Sequence, residues 1–233
     1  MALNGDREMK AEGSNSARAL RADNRLRLLD PAGPSLRERD DETLMLEHGA
    51  GSEAAFGELV RRHQKGVLNY MFRMVQNRHV AEELTQEVFV ALVKNGGRYQ
   101  PTAKFTTYLY SIASNIVSKE WLRAKRRPKL LSLFGFGGSS SEEDSFDPLE
   151  HVGDERACVL GKFQREEVTE AVNAALKHLP EHQREAFVLH RFQDLSYEEV
   201  ASITSSPIGT VKSRVVRAER ALRPLLAKFR EYV

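Results

Sequence analysis

Residues 196–226, SYEEVASITSSPIGTVKSRVVRAERALRPLL, decide the fold of the C-terminal part of the chain. Ser196 and Glu199 form the pattern of a capping box, in which each side chain accepts a hydrogen bond from the other residue's backbone NH at a helix start. The helix that they begin ends within two turns, because the sequence TSSP at residues 204–207 favours a turn. Pro207 suits the first position of a second helix. The stretch therefore predicts two helices joined by a tight turn.

The second helix of this pair separates an apolar stripe from a basic face. The stripe is formed at helical spacing by Val211, Val215, Ala218, Leu222 and Leu225. The residues that project elsewhere are Lys212, Ser213, Val216, Arg217 and Arg220. In a helix-turn-helix, the second helix lies in the major groove with its N-terminal residues at base edges and its arginines at phosphates. A basic solvated helix in an ordinary bundle is the alternative, but the capping box, the short first helix and the one-sided basic face together favour DNA binding.

Residues 41–127 contain a second set of helical patterns. Gly49 and Gly51 favour the end of a first helix, and Ser52 is a plausible N-cap for the next one. That second helix has one apolar face, expected to be core, made by Phe56, Leu59, Val60, Val67, Tyr70, Met71 and Met74. A third helix, VAEELTQEVFVALVK at residues 80–94, turns its apolar residues inward: Leu84, Val88, Ala91 and Leu92. It leaves Glu83, Gln86 and Glu87 outside.

A fourth helix, predicted from about residue 106 to residue 125, combines aromatic residues with a basic end. It follows the loop NGGRYQPTAK, residues 95–104, whose glycines and proline can extend neither neighbouring helix. Its aromatic residues are Tyr108, Tyr110 and Trp121, and its cations are Lys119, Arg123, Lys125, Arg126 and Arg127. The cations could hold phosphates while unstacked bases pack on aromatic faces, at about 1–3 kcal/mol each. The alternative for each aromatic residue is an ordinary core position.

Charge is segregated along the chain although its total is nearly balanced, with 35 Lys and Arg against 33 Asp and Glu. Residues 128–164 are rich in glycine, serine and acid, which predicts a flexible acidic linker. Residues 1–40 offer few large apolar residues and are expected to form a disordered tail. A hydrophobic content of 41% suffices for two small cores. The sequence therefore predicts an all-α fold with two small helical domains, residues 41–127 and 165–233.

Several classes of function are disfavoured by what the sequence lacks. Cys158 is the single cysteine and cannot form an internal disulfide, which is typical of a cytoplasmic protein. No apolar run approaches the length of about 20 residues that a membrane helix needs, so no direct membrane insertion is expected. No glycine-rich phosphate loop or nucleophile elbow indicates an enzyme, so no catalytic residue and no cofactor is predicted. His178 and His182 are four residues apart, but Pro180 breaks any shared helix, so no metal site is predicted.

Three segments together resemble regions 2 and 4 of bacterial sigma factors. They are AEELTQEVFVAL at residues 81–92, FTTYLYSIASNIVSKEWLRAKRR at residues 105–127, and LPEHQREAFVLHRFQDLSYEEVASITSSPIGTVKSRVVRAERALR at residues 179–223. The segment between the two regions is too short and too polar for the extra helical domain of larger sigma factors. In this respect the chain resembles the extracytoplasmic-function, or group 4, subclass. The resemblance implies a transcription initiation factor that binds core RNA polymerase, directs it to a subset of promoters and helps to melt them.

The resemblance also implies roles for individual residues. Those implied to dock on core RNA polymerase are Glu83, Leu84, Gln86, Glu87 and Phe89. Those implied to recognise and open the minus-ten promoter element, with the loop at residues 95–104, are Tyr108, Asn115, Lys119, Arg123 and Arg126. At the minus-thirty-five element, the implied base-facing residues are Lys212, Ser213 and Val216, and the implied backbone contacts are Thr210, Arg214 and Arg217. The family usually has tryptophan at the position of Tyr108, which leaves the exact promoter sequence open.

The implied partners are core RNA polymerase, promoter DNA and an anti-sigma factor that holds the protein inactive. A conventional repressor or activator is the main rival interpretation, since a C-terminal helix-turn-helix suits it equally. Such a protein would carry a sensor domain in place of region 2 and would bind duplex DNA tightly without polymerase. A pure interaction protein is a third interpretation, but it leaves the basic helix unexplained. Within the sigma interpretation, the acidic linker either imitates nucleic acid along the RNA exit path or acts as an inert tether.

Overall fold

The computed structural model describes residues 35–126 and 159–229, with side chains in residues 35–126 and 167–229. The chain divides into two compact units, Met1–Arg39 and Asp40–Val233. In the described part of the first unit, a turn is closed by Glu38 N, which donates to Ser35 O at 2.8 Å. The rest of the predicted tail and most of the predicted linker, residues 128–164, lie outside the described residues.

The described residues of the second unit form helices and turns, with no strand. The helices are α1 Asp41–Gly49, α2 Glu53–Val75, α3 Arg78–Asn95, α4 Phe105–Arg126, α5 Val159–Lys177, α6 Glu181–Phe192, α7 Tyr197–Ile203 and α8 Ile208–Leu225, with short 3-10 helices at Gly96–Arg98 and Ala227–Phe229. The predicted all-α fold, with two small helical regions, is confirmed. Across the described ranges, every helix is too short or too polar to span a bilayer.

The first three helices begin where a side chain can satisfy a free backbone NH. Asp40 accepts from Thr43 N at 2.6 Å, Ser52 Oγ from Ala55 N at 3.2 Å, and Asn77 Oδ1 from Val80 N at 3.0 Å. A side-chain oxygen at this position replaces the hydrogen bond that the first turn of a helix cannot make within itself. The predicted N-cap at Ser52 is therefore confirmed.

Helices α1 to α4 enclose one apolar core, with α2 packed against the other three. Its fully buried side chains include Leu44, Met45, Leu59, Tyr70, Met71, Phe105 and Leu109. Gly49 has a second role besides ending α1, because a Cβ on it would lie 2.6 Å from the carbonyl oxygen of Gly96. Only glycine lets the end of α1 approach the 3-10 helix this closely.

Helices α6, α7 and α8 form a second, smaller core, and α5 packs on α8. Helix α5 begins at Val159, six residues before the predicted domain boundary at residue 165. The glycine and acidic residues around the start of α5 predicted a linker. A single glycine inside a helix, such as Gly161, lowers its stability by only about 1 kcal/mol relative to alanine. Helix α5 therefore extends almost two turns into the segment predicted to be a linker.

Candidate nucleic-acid interface

The turn between α7 and α8 has the geometry that the sequence predicts. Ser196 Oγ accepts from Glu199 N at 3.2 Å, and Glu199 Oε2 accepts from Ser196 N at 2.8 Å, so both arms of the capping box are formed. The turn that follows includes Ser205 at a φ of +47°. Pro207 occupies the N-cap of α8 rather than its first helical position, and α8 begins one residue later than predicted. The result is a helix-turn-helix of one short and one long helix.

Helix α8 has one buried and one exposed face. Its buried residues are Val211, Val215, Ala218 and Leu222, as predicted. Leu225, the fifth member of the predicted stripe, is instead 49% exposed. The apolar periodicity continues to the end of the helix, but among the described residues Leu225 is left largely uncovered. The apolar contact of α8 therefore ends at Leu222.

The residues predicted to meet the minus-thirty-five element fall into two groups on α8. Lys212, Val216 and Arg217 are exposed on one side of the helix. Thr210, Ser213 and Arg214 are half-buried, and their polar groups make contacts within the protein. Ser213 Oγ donates to Thr210 O at 2.8 Å, and an Arg214 guanidinium nitrogen donates to Ser206 Oγ at 3.0 Å. Arg214 is therefore held against the turn.

Helix α4 also presents two different faces. The predicted DNA-binding residues Asn115, Lys119, Arg123 and Arg126 are exposed. Tyr108 is half-buried, with its ring centroid 5.0 Å from that of Tyr99. Tyr110 and Trp121 are buried, so the core interpretation is the correct one for these two aromatic residues. Tyr108 is thus the one aromatic residue of this helix with a partly accessible ring.

The loop between α3 and α4 is anchored at one end and exposed along most of its length. Tyr99 is buried, and its ring lies edge-on to Phe105 at 6.4 Å between centroids. Glu42 Oε1 accepts from the backbone NH of Phe105 at 2.5 Å, which fixes the start of α4. Residues 100–104 are exposed. The loop therefore stands beside the exposed face of α4 on a rigid base.

The outward face of α3 carries the residues predicted to dock on polymerase, with one exception. Glu83, Gln86 and Glu87 are exposed and Phe89 is half-buried, whereas Leu84 is only 2% exposed and belongs to the core. The sequence interpretation missed two exposed apolar residues on this face, Val90 at 50% and Val93 at 48%. Val90 lies four residues after Gln86 and three after Glu87, and Val93 lies three residues after Val90; this helical spacing was the available signal.

No metal site accompanies these surfaces in the described ranges, where no three His, Cys, Asp or Glu side chains are grouped to hold an ion. Two exposed arginines in these ranges form ion pairs. Arg123 pairs with Glu120 at 2.8 Å, and Arg191 pairs with Glu219. What the site offers is therefore a set of exposed cations and amides on rigid helices.

Comparison with known proteins identifies the family. Residues 59–127 match the family model of Sigma-70 region 2, and residues 169–222 match that of Sigma-70, region 4. The RNA polymerase sigma-H factor of Pseudomonas aeruginosa is 30% identical over 195 residues, which cover 82% of this chain and 98% of that protein. The chain belongs to the sigma-70 family of RNA polymerase sigma factors. A second relative of this sigma factor is the ECF RNA polymerase sigma-E factor of Escherichia coli K12, 30% identical over 182 residues that cover 78% of this chain and 92% of that protein.

Solved structures show the same fold. The structure of CnrH in complex with the cytosolic domain of CnrY covers 81% of this sigma factor and 97% of that chain, at 20% identity and a TM-score of 0.54. The sigma factor RpoE of Bartonella quintana, solved with the anti-sigma factor NepR, covers 74% and 96%, at 22% identity and a TM-score of 0.51. The predicted membership in the extracytoplasmic-function subclass and the predicted function as an RNA polymerase sigma factor are confirmed.

Proposed function

We propose that this sigma factor reads two promoter elements with two exposed faces, one on α4 and one on α8, while the outer face of α3 binds core RNA polymerase. The observation that carries the proposal is the division of α8 into a fully buried stripe and an exposed side bearing Lys212, Val216 and Arg217. Residues 41–127 then act as region 2, and region 4 occupies residues 165–233 together with the start of α5. The protein assists initiation without catalysis of its own.

The minus-thirty-five element is read by the N-terminal half of α8. Lys212, Ser213 and Val216 face base edges, and Arg217 holds a phosphate, as expected when a recognition helix enters the major groove. Thr210 and Arg214 contact the DNA backbone at the turn. The hydrogen bond to Ser206 uses only part of the fork of donors on Arg214, so its guanidinium keeps others for phosphate.

The minus-ten element is read and opened by the exposed face of α4 with the loop at residues 95–104. Opening requires a base to leave the stack, which costs a few kcal/mol and must be offset by a site for that base. The Asn115 amide supplies a donor and an acceptor, and the half-exposed Tyr108 ring supplies a stacking surface. Lys119, Arg123 and Arg126 follow at helical spacing and hold the phosphates of the single strand.

The outer face of α3 fits a protein partner because exposed carboxylates and an amide surround exposed apolar side chains. Glu83, Gln86 and Glu87 form the polar part, with Phe89 at its edge. Val90 and Val93 supply the apolar centre that the buried Leu84 cannot supply. Interfaces of this kind combine an apolar centre with a polar rim.

An anti-sigma factor is the expected inhibitory partner. RpoE of Bartonella quintana was solved in complex with the anti-sigma factor NepR, and its fold is shared by this chain. We place the action of the protein in the cytoplasm, with core polymerase.

Run-off transcription with purified core polymerase tests the proposal. Promoter DNA is first selected from the genome with the reconstituted holoenzyme. Glu83→Lys combined with Val90→Ser alters the charge and the apolar centre of the α3 face without touching the core. We expect this variant to lose at least tenfold in transcription and in affinity for core polymerase, measured by fluorescence anisotropy.

The matched control is Glu170→Lys, the same charge change at an exposed position of α5. It should transcribe like the unaltered protein. If the α3 variant binds core polymerase as well as this control does, the docking face is wrong. If core polymerase gains no promoter start from the unaltered protein, the proposed promoter recognition fails as a whole.

A further inference from the structure

Three side chains from three consecutive helices are stacked beside the N-terminal half of α8. The rings of His190, near the end of α6, and Tyr197, the first residue of α7, lie with their centroids 4.1 Å apart and their planes 26° from parallel. The Nζ of Lys212, on α8, lies 5.6 Å from the centroid of the Tyr197 ring. The stack therefore connects α6 and α7 to a residue that is proposed to read a base.

The histidine of this stack is fixed by a hydrogen bond. The Nδ1 of His190 lies 2.8 Å from the backbone oxygen of Leu195. A carbonyl oxygen can only accept, so Nδ1 carries a proton and donates it. Leu195 is itself only 4% exposed and directly precedes the capping box at Ser196. The His190 ring therefore presents a fixed flat surface on which Tyr197 stacks.

Tyr197 is restricted in both its backbone and its side chain. The two arms of the capping box between Ser196 and Glu199 fix the backbone of the first turn of α7. A tyrosine side chain has only two rotatable angles, so one stacked neighbour, His190, leaves it little freedom. The Tyr197 ring is half-buried, and part of it remains open to solvent. It is therefore a rigid platform at the edge of the proposed DNA-binding side of α8.

Lys212 has no such rigidity of its own. A lysine carries its ammonium on a flexible four-carbon stem, and immobilising that stem on binding costs affinity. The face of a tyrosine ring attracts a cation that lies within about 6 Å of the ring centroid. Among the described residues, no carboxylate forms an ion pair with Lys212, so no anion competes with DNA for its ammonium. The Tyr197 ring thus holds the ammonium and leaves its hydrogen-bond donors available for a base.

We propose that Tyr197, supported by its stack on His190, is a positioning residue for Lys212 and sets its ammonium in place for one base of the minus-thirty-five element. The inference rests on the proposed function, because it uses the assignment of Lys212 to a base edge. The effect is exerted by the aromatic ring and not by the phenol hydroxyl. A hydrogen bond from the Tyr197 hydroxyl to a phosphate would instead act alike on all promoter sequences.

Holoenzyme binding to promoter DNA tests the proposal. Fluorescence anisotropy measures the affinity of the reconstituted holoenzyme for promoters in which each base pair of the minus-thirty-five element is changed in turn. Lys212→Ala should lower the preference for the promoter base roughly tenfold at one position, which identifies the base that Lys212 reads. Tyr197→Leu should lower the preference at that same position about threefold and leave the other positions unchanged.

Two further variants separate the ring from the hydroxyl and from a general loss of aromatic packing. Tyr197→Phe keeps the aromatic face and should retain the full preference. Phe187→Leu is the matched control, because it removes a ring of α6 that pairs with Phe192 rather than with Tyr197. It should leave the preference at every position intact.

A double-mutant cycle shows whether Tyr197 acts through Lys212. When Tyr197→Leu is combined with Lys212→Ala, the preference should be no lower than in Lys212→Ala alone, because the ring has no ammonium left to hold. Thermal unfolding of each variant, followed by circular dichroism, detects any loss of the fold around α7. Such a loss would weaken binding at every position equally, whereas the positioning role affects one position.

The outcomes separate this inference from the proposed function. If Lys212→Ala changes the preference at no position, the assignment of Lys212 to a base is wrong, and the inference falls with it. If Lys212→Ala has its effect but Tyr197→Leu does not, the positioning role is overturned while the proposed function stands. The same holds if Tyr197→Phe loses as much as Tyr197→Leu, or if the effect of Tyr197→Leu persists in the Lys212→Ala background.

Discussion

The function of a side chain in this protein depends on the direction in which its helix turns it. Ser114 and Asn115 are consecutive on α4, yet the first donates to Glu185 in a buried junction and the second is exposed. On α3, Leu84 packs into the core, whereas Glu83 just before it is exposed. The type of a residue therefore indicates its role only when the helix face on which it lies is also known.

Arg217 is the residue whose DNA contact is simplest to isolate, because it is exposed and proposed to hold a phosphate. Arg217→Ala should weaken holoenzyme binding about equally on all promoters and reduce the slope of log affinity against log salt by about 0.9. Binding titrations at several salt concentrations measure both. Lys177→Ala, which removes an exposed cation from α5, should leave the slope unchanged; an equal loss there would argue against a phosphate contact at Arg217.

Glu58 makes the stability of the helical region at residues 41–127 sensitive to acid. Hydrogen bonds from Arg61 and then Arg62, at 2.7–2.8 Å, lower its pKa from 4.5 to about 2. Stability from a lowered carboxyl pKa is complete above the ordinary pKa and is lost as the pH falls through the lowered one. Glu58→Gln should therefore lower the melting temperature at pH 6 and converge with the unaltered protein near pH 2. Glu53→Gln, exposed on the same helix, should show no such convergence in thermal unfolding followed by circular dichroism.

At the scale of elements, short helices here depend on their caps. Helix α7 has seven residues, fewer than an isolated helix needs to be stable in water. Both arms of its capping box are formed, and Val200 and Ile203 bury its inner face. The position of α7, and hence the angle at which α8 is presented, follows from these few contacts.

Ser196→Ala tests this dependence. It removes the acceptor for Glu199 N and should lower the free energy of unfolding by about 1 kcal/mol, the usual loss for an N-cap serine. Urea unfolding followed by far-ultraviolet circular dichroism provides the measurement. Ser202→Ala, an exposed position inside the same helix, should change the stability little; equal losses in both variants would mean that the cap contributes nothing special.

At the scale of the whole molecule, two small helical cores meet at a junction where Glu185 of α6 accepts hydrogen bonds from Ser114 of α4 and Tyr70 of α2. Contacts between domains within a chain are usually more polar than permanent interfaces, and relative motion is expected of them. The junction found here has a buried carboxylate, a buried arginine and ion pairs at its edges. This composition predicts that its strength changes with pH.

Burial raises the pKa of Glu185 above its ordinary value, although hydrogen bonds from Ser114 and Tyr70 and the charges of His182 and Arg214 act in the opposite direction. A raised carboxyl pKa means that the contact between α6 and α4 gains stability as the pH falls. This gain is complete below the ordinary pKa of 4.5 and is lost as the pH rises through the raised one. Energy transfer between dyes at Glu53→Cys and Glu170→Cys, one in each helical region, should therefore be more efficient at pH 5 than at pH 8. Glu185→Gln should abolish that difference; if the difference persists, another group controls the contact between the two regions.

The sequence was sufficient for features that depend on neighbours along the chain. The capping box at Ser196, the N-cap at Ser52 and the buried stripe from Val211 to Leu222 follow from spacing and local hydrogen bonding, which the sequence displays directly. It failed at the start of α5, where a glycine and nearby acids concealed a helix, and at Leu225, which continues the apolar pattern but is exposed among the described residues.

The sequence by itself determined the all-α class, the helix-turn-helix and the sigma-factor resemblance, because each rests on residues close together in the chain. Only the tertiary structure decided that Tyr110 and Trp121 are buried, that Val90 and Val93 form the apolar part of the α3 face, and that Glu185 meets Ser114. The physical reason is that burial and pairing between distant residues depend on which helix faces pack together. Periodicity along one helix identifies its apolar side but carries no information about which element, if any, covers it.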